Sequence, residues 1–175
     1  MHMLVYKDAL GASSVLVDGF KLGEYMRQHF AEYFSLLSHV SFHCHLNFHG
    51  NNYNMRRFTF GVDSSGNLKT IHFNNYDRQP LDESLYQAKE LLSCDDDDEA
   101  MRKMYPGIRC FHQLLYSDRF HNKFDLRPRR MLMYNNKRVL HSRKQLISGF
   151  RVVCGLFHSE QEWLSKLEKM EQDLG

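Results

Sequence analysis

The chain has 175 residues, 42% of them hydrophobic and 25% charged, with a formal net charge of +2. That length allows one domain with a real core and is short for two. The near-neutral charge gives no electrostatic reason to expect nucleic acid, and no apolar run approaches the roughly 18 residues that a membrane-spanning helix needs.

Met3 to Tyr6 and Ser14 to Asp18 are short and apolar or β-branched, and read as two strands joined by a turn around Gly11. The opening residues, Met1 to Tyr6, carry no basic stretch leading into a long apolar segment, so no signal-peptide pattern is visible. They read as the middle of a strand, as expected of a chain that lacks the strands before it. After Gly19 the period changes. Phe20, Leu22, Tyr25, Met26 and Phe30, continued by Phe34, Leu36 and Leu37, recur at helical spacing and predict one helix or two short ones ending near Ser38. From Val40 to Phe48 the residues alternate, with Val40, Phe42, Cys44, Leu46 and Phe48 on one face, which predicts a half-buried strand.

Arg57 to Val62 and Leu68 to Phe73 read as a strand pair around the hairpin turn Asp63 to Asn67. Leu81 to Leu92 is helical in pattern, and the acidic run Asp95 to Glu99 after it reads as a solvated loop. Pro106-Gly107 is expected to interrupt the next segment, with a helix from Ile108 to Phe120. Phe124 to Leu126, Met131 to Tyr134, Arg138 to Leu140 and Phe150 to Phe157 are strand-like. The last segment, Ser159 to Leu174, has Ser159 as a cap with Glu162 following, and Trp163, Leu164, Leu167 and Met170 as an apolar stripe expected to pack on the body. Cys44, Cys94, Cys110 and Cys154 include no C-x-x-C pair, which favours a reducing compartment over a disulfide framework. Together these elements predict one mixed domain, a sandwich or barrel of short strands covered by helices.

The chemistry concentrates around Asn135-Asn136-Lys137-Arg138-Val139-Leu140-His141-Ser142-Arg143, followed by Gly149-Phe150-Arg151. An apolar strand ending in a histidine, with an arginine on the next strand, is what a non-haem iron oxygenase needs. The imidazole completes a two-histidine, one-carboxylate face on iron(II), and the guanidinium fork holds the far carboxylate of a 2-oxo acid. Taken without any family, a single histidine near a strand end is more often a hydrogen-bonded structural residue, and Arg151 an ordinary cation.

Three separated blocks change that weighting: Leu16-Val17-Asp18-Gly19-Phe20, then Phe73-Asn74-Asn75-Tyr76-Asp77-Arg78, then Arg138 to Arg143 with Gly149-Phe150-Arg151 and Cys154-Gly155. In order and spacing they resemble the trimethyllysine and γ-butyrobetaine dioxygenases of the taurine-dioxygenase-like superfamily, over nearly the whole chain. The tail Tyr76-Asp77-Arg78 after the asparagines is closer to the trimethyllysine enzymes.

The resemblance implies a mainly β fold, a double-stranded β-helix or jelly-roll core with flanking helices. It also implies 2-oxoglutarate-coupled hydroxylation of a trimethylammonium amino acid in carnitine biosynthesis. Iron(II) and 2-oxoglutarate are the implied cofactors, with ascorbate as reductant. His141 would be the distal iron ligand, Arg151 would bind the 2-oxoglutarate carboxylate, and Arg143 would contribute near the pocket. Asn74, Asn75 and Tyr76 would lie near the substrate, where a quaternary ammonium demands aromatic faces. The implied partner is that small molecule, with homo-oligomers as a further expectation, and the implied compartments are mitochondrial or cytoplasmic.

The chain departs from the family in ways that matter. The first iron motif, His-x-Asp, belongs ahead of the segment that Met1 to Tyr6 resembles and is absent. His158-Ser159-Glu160 comes after the distal histidine, in the wrong order, and His43-Cys44-His45 lacks the carboxylate. Pro128-Arg129 and Asn135-Asn136 replace the usual Pro-Gly and Asp-Asn, as in a diverged member. One histidine does not hold catalytic iron, so a truncated catalytic domain over residues 1–175 with little activity of its own is expected. A non-catalytic remnant that binds a partner stands as the alternative. The weaker rivals are a zinc site from His43, Cys44, His45 and His49, calcium at Asp95 to Asp98, and nucleic acid at Arg127-Pro128-Arg129-Arg130.

Overall fold

The structure, a computed structural model, describes residues 1–48 and 50–174. His49 and the side chains of Phe48, Asp82 and Glu83 lie outside that description. In chain order the elements are β1 (His2–Gly11), β2 (Ser14–Asp18), α1 (Gly19–His29), α2 (Ala31–His39), β3 (Ser41–Phe48), β4 (Asn51–Phe58), β5 (Phe60–Val62) and β6 (Leu68–Ile71). Then follow α3 (Asp82–Leu92), α4 (Asp97–Leu115), β7 (His121–Phe124), β8 (Val139–Arg143), β9 (Leu146–Cys154) and α5 (Glu160–Leu174). The fold is therefore mixed helix and strand, and every strand pairing among the described residues is antiparallel. Two compact units emerge: Met1–Ala12 with Asp125–Met133 and the chain from Gln145 onward, and Ser13–Phe124 with Tyr134–Lys144.

The larger unit holds the core. Asp18 caps α1 by accepting from the backbone N–H groups of Phe20 and Lys21, at 3.1 and 3.2 Å. The helix buries Gly19, Leu22, Gly23 and Met26; of the predicted stripe Leu22 and Met26 are buried, Phe20 and Tyr25 are partly buried and Phe30 is exposed. Phe30 sits outside helical geometry and divides the long apolar pattern into α1 and α2. Phe60 lies at the centre, fully buried, with Phe34 stacked at 5.0 Å and Phe111 edge-on at 5.6 Å.

Three expectations in this unit fail for physical reasons. The segment read as one strand from Arg57 to Val62 is two. Asn51–Phe58 is a strand of its own, in register with β3 from Ser41 opposite Phe58 to Phe48 opposite Asn51, and β5 begins after Thr59. The acidic run is no loop. Asp96 accepts from the Glu99 N–H at 2.7 Å, and Asp97, Asp98 and Glu99 occupy the first turn of α4, where negative charge meets the positive end of the helix dipole. Nor does Pro106 break that helix. It lies on the exposed side, while Ala100, Met104, Gly107, Phe111 and Leu115 carry an unbroken buried stripe past it. Burial along that stripe outweighs the one backbone bond that proline removes.

In the smaller unit β1 pairs with β9, from His2 opposite Cys154 to Gly11 opposite Leu146, so β1 and β2 are consecutive without pairing. Gly149, at φ +81°, passes so close to the Asp8 carbonyl that a side chain would not fit. Met131 to Tyr134 is not a strand; Met131 forms a single bridge with His2. The α5 cap is as expected, with the Ser159 N–H and hydroxyl donating to Glu162 Oε2 and the Glu162 N–H donating back to Ser159 Oγ. The expected packing of that helix is absent. No residue of α5 is buried, and the stripe from Trp163 to Met170 is about half exposed.

Candidate functional site

The larger unit contains a cavity of about 860 Å³, in the range typical of small-molecule sites. Its walls follow from strand register. In the β7-β2-β8 sheet, Val17 pairs with His121 on one side and Leu140 on the other, which sets all three on one face. In the β3–β4 pair, Phe42 stands opposite Arg57 and Cys44 opposite Met55. Residues 77–79 run along the free edge of β3: the His45 N–H donates to the Asp77 carbonyl at 2.7 Å, and the Gln79 N–H to the His43 carbonyl at 2.9 Å. Cys44 also bridges to Arg78, so Arg57, Met55, Phe42, Cys44 and Arg78 share one face and line the cavity together.

The position of β8 is fixed from two sides. Arg138 donates to both carboxylate oxygens of Asp18, at 3.0 and 2.7 Å, in the bidentate geometry that arginine favours. This pair holds the Asp18 carboxyl below its usual range, chiefly through the Arg138 hydrogen bond. The Gly19 N–H donates to the Arg138 carbonyl at 2.9 Å. Two of the three sequence blocks are therefore tied directly to each other.

The structure brings together His141, Arg143, Asn74, Asn75 and Tyr76, all of which line the cavity. His141 and Arg143 pair with Leu16 and Ser14, so alternation sets them on the other face of β8 from Leu140 and Ser142. The His141 ring lies 5.0 Å from that of Tyr134, whose phenol is pushed up by burial. The asparagines form a turn with their own bonds: Asn74 Nδ2 donates to Asp77 Oδ2 at 2.6 Å, and the Tyr76 N–H to Asn74 Oδ1 at 3.1 Å. The Tyr76 ring is 97% exposed. Arg151 belongs to the smaller unit, on β9 opposite Tyr6. There its Nη1 donates to the Ala12 carbonyl, while its Nε is buried with no hydrogen-bond partner among the described residues.

Sequence reasoning missed Arg57, His72 and Arg78 as site residues. Arg57 Nη1 donates to His72 Nδ1 at 3.0 Å and Arg57 Nε to Met55 Sδ at 2.7 Å. Burial, reinforced by the Arg57 charge, lowers the His72 pKa to about 4, so this ring is neutral and its Nδ1 accepts. Arg78 lies over the Phe42 ring at 6.0 Å. Burial raises the Cys44 thiol between them. Among the lining residues Arg57, Arg78, Arg143 and Lys144 are cations and Asp77 is the one carboxylate.

No three histidine, cysteine, aspartate or glutamate side chains among the described residues come close enough together to hold a metal ion. His141 alone does not fit iron(II), since affinity requires several ligands closing on one site. The zinc candidates His43 and His45 stand opposite Arg56 and Asn54, and His49 lies outside the described residues. None of the described helices is long and apolar enough to cross a membrane.

Residues 1–156 match the family described as taurine catabolism dioxygenase TauD, TfdA family. The chain is 25% identical over 169 residues to a trimethyllysine dioxygenase of Meyerozyma guilliermondii, covering 95% of this chain and 39% of that protein. It is 28% identical over 169 residues to a gamma-butyrobetaine dioxygenase of Pseudomonas sp. (strain AK-1), covering 95% and 40%. A mitochondrial trimethyllysine dioxygenase of Homo sapiens is 27% identical over 169 residues, covering 90% and 36%. The chain thus spans about two-fifths of the length of the relatives that it matches.

Proposed function

The chain belongs to the taurine catabolism dioxygenase TauD, TfdA family, and we propose that it serves an iron(II)- and 2-oxoglutarate-dependent hydroxylation. The substrate is a trimethylammonium amino acid, trimethyllysine ahead of γ-butyrobetaine, and the family's jelly-roll is the fold in which residues 1–175 form part of one catalytic domain. Ascorbate serves as reductant, and the compartment is mitochondrial or cytoplasmic.

In this reading His141 is the distal iron ligand, Arg151 holds the 2-oxoglutarate carboxylate, and Arg143 contributes near the pocket. Asn74 and Asn75 border the substrate, and the open Tyr76 ring offers the aromatic face that a quaternary ammonium needs. The observation that carries the reading is the gathering of His141, Arg143, Asn74, Asn75 and Tyr76 around one cavity, from segments far apart in sequence. The ligand set, incomplete among the described residues, gives a corollary: this chain alone turns over little. The same shortage favours a second reading, a non-catalytic chain that binds a partner.

The test is iron(II) binding and succinate release from 2-oxoglutarate by this chain, with trimethyllysine or γ-butyrobetaine added, and NMR shifts recorded in parallel. Ligand-dependent shifts at residues 74–76 and 141 with little succinate are the expected outcome. Brisk succinate release that disappears in His141→Ala would overturn the corollary while supporting the enzyme. A folded chain that binds none of these compounds would overturn the reading itself and leave the partner-binding alternative.

A further inference from the structure

We propose that Arg57, backed by Arg78, is the carboxylate-recognition element of this cavity, and that His72 is the positioning residue that aims it. Three observations on different elements converge there. Register puts Arg57 on β4 and Arg78 on the 77–79 edge across the same face of β3, with Phe42 opposite one and beneath the other. Among the described residues neither guanidinium has a carboxylate within ion-pair distance, although both line an open cavity. The one lining carboxylate, Asp77, already accepts from Asn74 at 2.6 Å.

Arg57 is also held in place. Its Nη1 donates to His72 Nδ1 and its Nε to Met55 Sδ, so part of the fork is anchored and the remaining N–H groups stay free for a ligand. The His72 backbone is itself fixed, its N–H donating to the Thr59 carbonyl at 3.0 Å. A neutral ring is what this arrangement requires, since an imidazolium has no lone pair to accept with and would repel the guanidinium. Burial and the Arg57 charge keep His72 in that form.

An unpaired, pre-aimed guanidinium with a second one nearby matches the planar oxygens of a carboxylate. The ligand class is therefore a small carboxylate. Resting on the function proposed above, that carboxylate belongs to the amino-acid substrate and not to 2-oxoglutarate, whose carboxylate is assigned to Arg151. Arg57 then acts as a specificity residue, favouring zwitterionic trimethylammonium acids over simple trimethylammonium cations.

The experiment titrates the full chain by calorimetry with three probes: glutarate, γ-butyrobetaine and γ-butyrobetaine amide. Glutarate needs neither iron nor a trimethylammonium group, and because it shares the carbon skeleton of 2-oxoglutarate it is titrated both into wild type and into Arg151→Met. Arg57→Met is expected to weaken glutarate at least roughly tenfold, the usual loss for a charge-assisted hydrogen bond. In an Arg151→Met background, which removes the carboxylate partner assigned to 2-oxoglutarate, Arg57→Met should still weaken the remaining glutarate binding at least roughly tenfold, and γ-butyrobetaine binding should depend on Arg57 alone. Wild type should prefer γ-butyrobetaine to its amide, and Arg57→Met should erase that preference while the amide's affinity is unchanged. His72→Gln, which keeps a neutral acceptor, should retain most of the binding that His72→Leu loses, with unchanged circular dichroism in each. No glutarate binding by wild type, or an undiminished affinity in Arg57→Met, overturns the proposal. Glutarate binding that depends on Arg57, with no binding of either trimethylammonium compound, supports the carboxylate site and overturns the substrate reading instead.

Discussion

Gly19 is the point at which the strand carrying His141 is locked to the core, so Gly19→Ala probes the architecture of the site directly. A Cβ there would lie 2.5 Å from Ile71 Cγ2 and 2.8 Å from the Arg138 carbonyl oxygen. Carbon atoms pack at roughly 3.5–4.0 Å, so about 1 Å has to be found against Ile71. Ile71 is 2% exposed and has no solvent to swing into. The Arg138 carbonyl accepts from the Gly19 N–H and cannot retreat without losing that bond. Overpacking of this kind costs about 1–3 kcal/mol. Alanine's helix propensity returns at most about 1 kcal/mol, and less at the first position of α1. The net loss is about 1–2 kcal/mol, or roughly 2–8 °C in melting temperature for a chain of this size. Urea unfolding followed by circular dichroism would show a lower midpoint with an unchanged slope. Hydrogen exchange should quicken at the Ile71 amide, which donates to the Lys137 carbonyl at 2.8 Å. A midpoint equal to or above wild type would refute this reasoning, because the clash would then be relieved at no cost.

Phe60→Ala should cost about 3–5 kcal/mol in the same unfolding assay, because Phe34 and Phe111 each lose a ring contact and Phe60 is fully buried. A loss below about 1 kcal/mol would mean that the core collapses to fill the gap. Asp18→Asn keeps an oxygen for the α1 cap and removes the ion pair with Arg138. The Asp18 carboxyl is lowered from 3.8, so its stabilisation is present above that value and fades as pH falls through the folded-state value. The Asn variant should therefore show a shallower acid limb, and parallel stability curves would refute the pairing. His72 acts in the same direction, at higher pH. Its pKa falls from 6.5 to about 4, so the unfolded chain takes up the proton first and stability is lost as pH drops from about 6.5 towards 4. The full shift corresponds to about 3 kcal/mol, which solvent screening of a half-exposed ring reduces to about 1–2. His72→Gln should lack that slope.

The parts of the fold that sequence reveals are those where burial repeats with the period of the backbone. The stripe from Leu22 to Met26, the alternation along β3 and the Asp63 turn all follow local rules, and each lies where those rules put it. β4 was invisible because Asn51 to Arg57 is polar and exposed, and it is a strand only by pairing with β3. Pro106 misled for the converse reason. A local breaker was overridden by five buried residues spaced along the same helix. For α5 the cap and the stripe were both legible, but amphipathicity says which face is apolar and not what covers it.

The site divides along the same line. His141, Arg143 and the Asn74 to Tyr76 turn stood in blocks that a resemblance could single out, each contiguous in sequence. Arg57 and His72 lie outside those blocks, Arg78 stands at the end of one without a role attached to it, and their meeting depends on the β3–β4 register and on residues 77–79 lying along the β3 edge. Composition hid the consequence as well. A net charge of +2 suggests no preference for anions, yet several acids are engaged away from the cavity, Asp18 capping α1 and pairing with Arg138, and Asp96 to Glu99 opening α4. Arg57, Arg78 and Arg143 line the cavity, with Asp77 the one carboxylate beside them. Electrostatic character at a site is set by where the fold uses its charges, and here the cavity gathers Arg57, Arg78 and Arg143 around a single carboxylate, Asp77.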